Sequence, residues 1–159
     1  MKKYVFYDTD IEGNEEYDIR EEAYETLMRT CCQYSSTLSV GYWRSDLKVF
    51  QALQAFEIEK PQNILAEQAY YAPDRQMRYY KVCPELCDVL LKAAGGIFEW
   101  IDGWGFHNPE DPIFYRSDGT VFFTSVIHDG VCAIMPRDDE DVEQLLGAVA
   151  WHTGSQSSA

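Results

Sequence analysis

The chain has 159 residues, 46% hydrophobic and 14% aromatic, a length and composition that exclude disorder and supply a core without disulfide staples. Its net charge of −14 sets it against nucleic acid and anionic lipid, and its longest apolar runs, Val121-Phe122-Phe123 and Ala148-Val149-Ala150-Trp151, fall far short of the roughly 18 residues of a membrane span. Lys2-Lys3 is followed by neither an apolar h-region nor a small-residue cleavage site, and the five cysteines, odd in number and irregular in spacing, read as free thiols, so a soluble, cytoplasmic protein is expected.

Residues 4–8 read as a first strand, and Glu12-Gly13-Asn14 as a turn. Asp18 and Glu21 resemble a capping box, and Ala23, Leu27, Cys31 and Tyr34 recur at helical spacing, which predicts a helix over 19–33. Leu38, Val40 and Tyr42 alternate through a strand at 36–43. A second helix opens at Ser45-Asp46 with Leu47, Phe50, Leu53 and Phe56 on one stripe, and Pro61 marks its end. Residues 69–71 and 77–82 read as strands joined around Pro73-Asp74. Pro84 fits the first turn of a third helix, whose apolar face is Leu86, Val89, Leu90 and Ala93, and Gly95-Gly96 stops it. Residues 97–112 hold no period and read as an ordered aromatic loop with one helical turn.

The clearest pattern lies at 113–135. Asp118-Gly119 and Asp129-Gly130 are both two-residue hairpin signals, dividing it into strands 113–117, 120–128 and 131–135. That register sets Tyr115 opposite Phe122, and His128 opposite Val131. Both faces of the meander are apolar, so it belongs inside a larger sheet or between layers. A final helix is expected from Asp138 to about Trp151, and residues 152–159 as a frayed tail. The expected architecture is one α+β domain over 1–151, with a mixed or mainly antiparallel sheet, a C-terminal three-stranded meander and about four packed helices.

The charge is uneven. Residues 8–25 carry nine acids against Arg20, and residues 137–143 five acids against Arg137. Carboxylates at helix starts favour the helix dipole, which accounts for part of each group. Asp8, Asp10, Glu12, Glu15 and Glu16 precede any helix, and they are the candidates for touching a basic partner protein. Eleven Tyr, eight Phe and four Trp are heavy for this length; core packing is the default for most of them, and the excess lines a pocket, an interface or only the core.

His107, Glu110, Asp111 and His128 are the candidates for acid–base or metal chemistry, since imidazoles and carboxylates serve both. Glu110 and Asp111 enter at the turn-distal end of the first meander strand, the end that approaches His128. No metal site or cofactor is assigned from these residues. His128 and Cys132 fall on opposite faces, which argues against a nucleophile pair. Cys83 and Cys87 lie one helical turn apart, whereas adjacent Cys31 and Cys32 point in different directions, so buried free thiols are expected. The phosphate-loop, Rossmann, nucleophile-elbow, zinc-protease and kinase patterns are not present in the sequence.

The stretch from Trp104 to Gly130, with Pro109-Glu110-Asp111, Phe114-Tyr115, Asp118-Gly119 and Ser125-Val126-Ile127-His128-Asp129, resembles a pattern in small uncharacterised bacterial proteins, some similar in style to immunity proteins that neutralise polymorphic toxins. The resemblance covers about 27 residues and implies a soluble α+β protein with no catalytic residue to transfer. The expectation is a non-enzymatic binding protein, an immunity-type inhibitor with an acidic surface for a basic partner. The alternative is a small metal-dependent hydrolase or a ligand-binding domain built on His107, Glu110, Asp111 and His128.

Overall fold

The computed structural model describes residues 2–9, 17–64, 74–103 and 105–154. The strand expected at 69–71, the turn at 12–14, and the acids Asp10, Glu12, Glu15 and Glu16 lie outside the described residues.

Among the described residues, ten strands and four α-helices form an α+β fold. The main sheet contains β1 (Lys3–Tyr7), β2 (Thr37–Tyr42), β3 (Glu57–Ile58), β4 (Gln76–Lys81), β7 (Glu110–Tyr115), β8 (Val121–Val126), β9 (Val131–Ile134) and β10 (His152–Gly154), while β5 (Asp102–Gly103) and β6 (Phe106–His107) make a small hairpin. The main sheet runs β10-β1-β9-β8-β7-β2-β4-β3, antiparallel at every pairing. The helices are α1 (Glu21–Tyr34), α2 (Val49–Leu53), α3 (Pro84–Ala93) and α4 (Glu143–Ala148).

All four helices feed one core. Leu27, Met28 and Cys31 of α1, Phe50 and Leu53 of α2, Leu86 and Leu90 of α3 and Leu145 of α4 meet Leu38, Val40, Phe114, Phe123 and Ile134 of the sheet. A hydrogen-bonded chain pins this core: Trp100 Nε1 donates to the Tyr24 hydroxyl at 2.9 Å, which donates to the Leu90 carbonyl at 2.8 Å. The opposite face carries a smaller cluster of Ile64, Ile113, Tyr115 and Val121.

The meander is present as β7-β8-β9, with three differences from the sequence reading. Phe114 pairs with Phe123, but Tyr115 pairs with Val121, so Phe122 is the extra residue of a β-bulge. The bulge returns Phe122 to the helix-covered core and sends Val121 to the Tyr115 face, the reverse of the strict alternation. β8 stops at Val126, and Ile127–Asp129 form a 3-10 turn closed by Gly130 in the left-handed region, φ 66°. Val126 therefore pairs with Val131, where the two-residue turn had His128 facing Val131. β7 starts at Glu110, because a register shift between Ser39 and Gly41 of β2 accommodates Asp111, at φ 56°, and Pro112.

Other expectations are corrected at element ends. Asp18 does not cap α1; its Oδ1 accepts the Phe98 backbone N–H at 3.1 Å, while Arg20 holds the N-cap position. The second helix is short, passing through a 3-10 turn at Gln54–Phe56 into β3. Residues 97–112 hold a 3-10 turn and the β5–β6 hairpin. The last helix covers only Glu143–Ala148, and His152–Gly154, expected as tail, pair with β1.

Candidate functional site

Four ionisable side chains converge where the first turns of β7 meet the end of β8. Asp111 Oδ2 accepts from Arg75 Nη2 at 2.7 Å, and its Oδ1 accepts the Ile127 backbone N–H at 2.7 Å. That carboxylate takes the place of a ladder carbonyl where β8 gives way to the 3-10 turn. Glu110 Oε2 lies 2.9 Å from His128 Nε2, and its Oε1 faces Arg75 Nε at 3.5 Å. The side chains of Arg75, Glu110 and Asp111 are 1–3% exposed, whereas that of His128 is 53% exposed. A buried guanidinium thus holds two adjacent buried carboxylates, one of which orients an imidazole at the surface.

Burial pushes the carboxyl groups of Glu110 and Asp111 above their ordinary values, and the Asp111 charge adds to the effect on Glu110. His128 and Arg75 pull Glu110 back, and the Ile127 N–H and Arg75 do the same for Asp111. Burying three charges is costly, and the compensation is their mutual pairing.

Above this cluster is a cleft of about 280 Å³, lined by Trp43, Asp111, Val126, His128 and Asp129. Trp43 is 47% exposed, and the Arg75 guanidinium carbon lies 5.8 Å from its ring centre. Asp8 reaches the same region. Its backbone N–H donates to the Gly130 carbonyl at 2.8 Å, and its carboxylate lies where a Cβ on Gly130 would project. Asp8 therefore lies against Gly130, the residue that follows Asp129 of the cleft lining.

Of the four residues singled out for chemistry, the structure brings Glu110, Asp111 and His128 together and separates His107. His107, 69% exposed on β6, faces Asp102 Oδ1 at 3.4 Å, and Arg44 approaches the same oxygen at 3.7 Å. The separation arises at Asn108, whose side chain donates to the carbonyls of Ala93 and Glu99. The chain is thereby tied to the 93–101 region until Pro109, and it enters the sheet only at Glu110. Among the described residues, no three His, Cys, Asp or Glu side chains are arranged to hold a metal ion.

Sequence reasoning missed Arg75 and Trp43. The signal for Arg75 was Gly41, a glycine inside a strand of alternating apolar residues, which marks a close approach. A Cβ at Gly41 would collide with the Arg75 guanidinium. Trp43 gave no signal beyond its position at the end of β2.

The acids at 137–143 are not helix-start carboxylates as expected. Glu140 forms a two-pronged ion pair with Arg116, at 2.7 Å for both contacts, and Arg137 pairs with Asp118. Only Glu143 lies in the first turn of α4. No helix among the described residues is long and apolar enough to cross a membrane. No protein-family model matches the chain, and no curated protein or solved structure shows detectable similarity to it.

Proposed function

We propose that the protein is a non-enzymatic binding protein whose partner is a basic protein, and that a cationic side chain of the partner seats in the cleft beside Trp43, His128 and Asp129. One observation carries this reading: Asp8, the first residue of the acidic 8–16 segment, lies against the turn that bears His128 and Asp129. Asp8 and an exposed Trp ring thus lie on either side of the turn that bears His128 and Asp129. A π face beside carboxylates suits a guanidinium or ammonium group. The buried Arg75–Glu110–Asp111 cluster gives the floor a fixed geometry, so little ordering is required on association. The immunity-type inhibitor implied by the 104–130 resemblance is one form of this proposal, with a basic toxin met in a reducing, cytoplasmic setting.

The test uses a hexa-arginine peptide as probe and calorimetry at low ionic strength. Trp43→Ala and Asp129→Asn should each weaken binding at least about tenfold, roughly 1.4 kcal/mol. The control Asp138→Asn/Asp139→Asn should change it less than twofold. Equal weakening by the control and the cleft variants would show attraction by bulk charge alone and end the proposal.

The 2.9 Å contact of Glu110 with His128 favours a second reading, an acid–base site for a small ligand bound in the same cleft. A panel of chromogenic esters separates the two. A turnover above background that vanishes in His128→Ala would replace the binding reading.

A further inference from the structure

A groove of about 700 Å³ lies between α2, α3 and the β5–β6 hairpin, and it shares no lining residue with the Trp43 cleft. Helical spacing makes its walls apolar. Phe50 and Leu53 of α2 and Leu86 and Leu90 of α3 are spent on the core. Val49 and Ala52 lie a step round α2, and Val89 and Ala93 a step round α3, so they line the seam where the two helices pack. The hairpin supplies the third wall. Asn108 donates to the carbonyls of Ala93 and Glu99, which fixes the hairpin beside the end of α3. Phe106 lines the groove from there, and among the described residues it packs into neither apolar cluster and is exposed. An exposed ring on a tethered hairpin has no use in the core.

Charge sets this groove apart. Three other clefts each carry two carboxylates: Asp111 with Asp129, Asp141 with Glu143, and Asp46 with Glu57. The described lining of this groove has no Asp or Glu, although the chain holds 27. It has Lys48 and Lys92 instead, both exposed and neither in an ion pair among the described residues. Lys92 in the last turn of α3 complements the helix dipole, but Lys48 opens α2, where a cation has no such local use. His107, also in the lining, is turned to Asp102 at 3.4 Å.

We infer that this groove binds a small amphipathic carboxylate, an aliphatic monocarboxylic acid of fatty-acid type. The tail lies against the apolar walls, and the carboxylate is taken by Lys48 and Lys92. A cavity of this size with apolar walls and a few polar groups suits a small molecule. Lysine stems cover apolar surface while their heads stay in water, so the head group remains at the rim. Complementarity also limits the charge of the ligand. Two local cations balance one carboxylate, whereas a polyanion would bring further charge to a protein of net −14.

The experiment titrates the full-length protein with sodium decanoate below its micelle concentration, read by calorimetry, with methyl NMR to locate the ligand. Saturable binding at one site is expected, with shifts at Val49 and Val89. Tightening by about tenfold or more from octanoate to dodecanoate should follow from the added buried methylenes. Decanol, which has the tail without the charge, should bind at least about fivefold more weakly. Lys48→Gln/Lys92→Gln should weaken decanoate at least about tenfold, and Lys60→Gln/Lys81→Gln, which removes equal charge outside the groove, less than about twofold. Phe106→Ala should weaken it at least about threefold with Tm held within about 2 °C, since the ring is outside the core. No saturable binding, decanol bound as tightly as decanoate, equal loss in the two lysine pairs, or unchanged affinity in Phe106→Ala would each overturn the assignment. A hexaglutamate peptide that binds more tightly than decanoate, and is lost in Lys48→Gln/Lys92→Gln, would overturn it in favour of an acidic peptide.

Discussion

At the scale of single residues, the buried ionic cluster depends on a glycine. Gly41 lies in β2 opposite Met77, and its missing side chain is the space that Arg75 occupies. Gly41→Ala should displace the guanidinium and leave Glu110 and Asp111 buried without their cation, at a cost of about 3 kcal/mol. Arg75→Met should cost about 3–5 kcal/mol for the same reason. The double variant should fall short of the sum, because both changes break one cluster. Urea unfolding reads all three, and a Gly41→Ala protein within about 0.5 kcal/mol of wild type would contradict this account. The pH dependence has a definite sign. Glu110 and Asp111 have raised carboxyl values in the fold, so their contribution is fully present below the unfolded value near pH 4 and is lost as pH rises through the folded values. The Arg75→Met penalty should therefore be larger at pH 7 than at pH 4. Glu110, Asp111 and His128 were legible in the sequence because strand pairing brings the far ends of a hairpin together. Arg75 was not, because Gly41 marks a close approach without naming what approaches, and that depends on the long-range pairing of β4 with β2.

At the scale of elements, the last helix shows a local signal overruled by a tertiary one. Residues 138–143 look like an acidic helix start, but Arg116 captures Glu140 and holds the chain in a turn. Arg116 also donates to the carbonyls of Val121 and Met135, so one side chain joins β7, β8 and the segment after β9. Burial pushes the Glu140 carboxyl up, but Arg116 and the Arg137 N–H outweigh it, and the net shift is downward. A lowered carboxyl stabilises above the unfolded value near pH 4.5 and loses that contribution as pH falls through the folded value. Glu140→Gln should thus cost about 2–4 kcal/mol at pH 7 and flatten the decline of stability below pH 4.5. Thermal melts from pH 3 to pH 7 test it, and parallel wild-type and variant curves would refute it. The Asp-Gly pairs marked the meander correctly as an element. They did not reveal the turn at Ile127–Asp129, because a shift of two residues preserves the alternation of faces on which the reading rests, nor the Phe122 bulge, whose one extra residue reverses that alternation without a turn signal of its own.

At the scale of the whole molecule, charge and architecture are separable. The α+β arrangement, with four helices against an antiparallel sheet among the described residues, follows from apolar periodicity and was legible in outline. The net charge of −14 contributes to solubility and encounter rather than to fold, and it opposes compactness by self-repulsion. Raising NaCl from about 10 mM to about 0.3 M should shorten the screening length several-fold and raise Tm by a few degrees. Surface pairs such as Arg29–Glu25 weaken over the same range, but exposed pairs are worth little. A Tm that falls with salt would mean that pairing, not repulsion, dominates the surface.

The place of β1 in the sheet has a kinetic consequence. Its neighbours are β9 and β10, and Tyr4 pairs with Ile134 and Thr153, about 130 and 150 residues away. Such pairings have the highest loop-closure cost in the chain, so folding is expected to be slow for this size. During synthesis, β1 emerges well before both of its partners, and more than a hundred residues must follow before either strand completes it. Until then Tyr4–Tyr7 presents an open edge bearing Val5 and Phe6, and this is where premature association between nascent chains would begin.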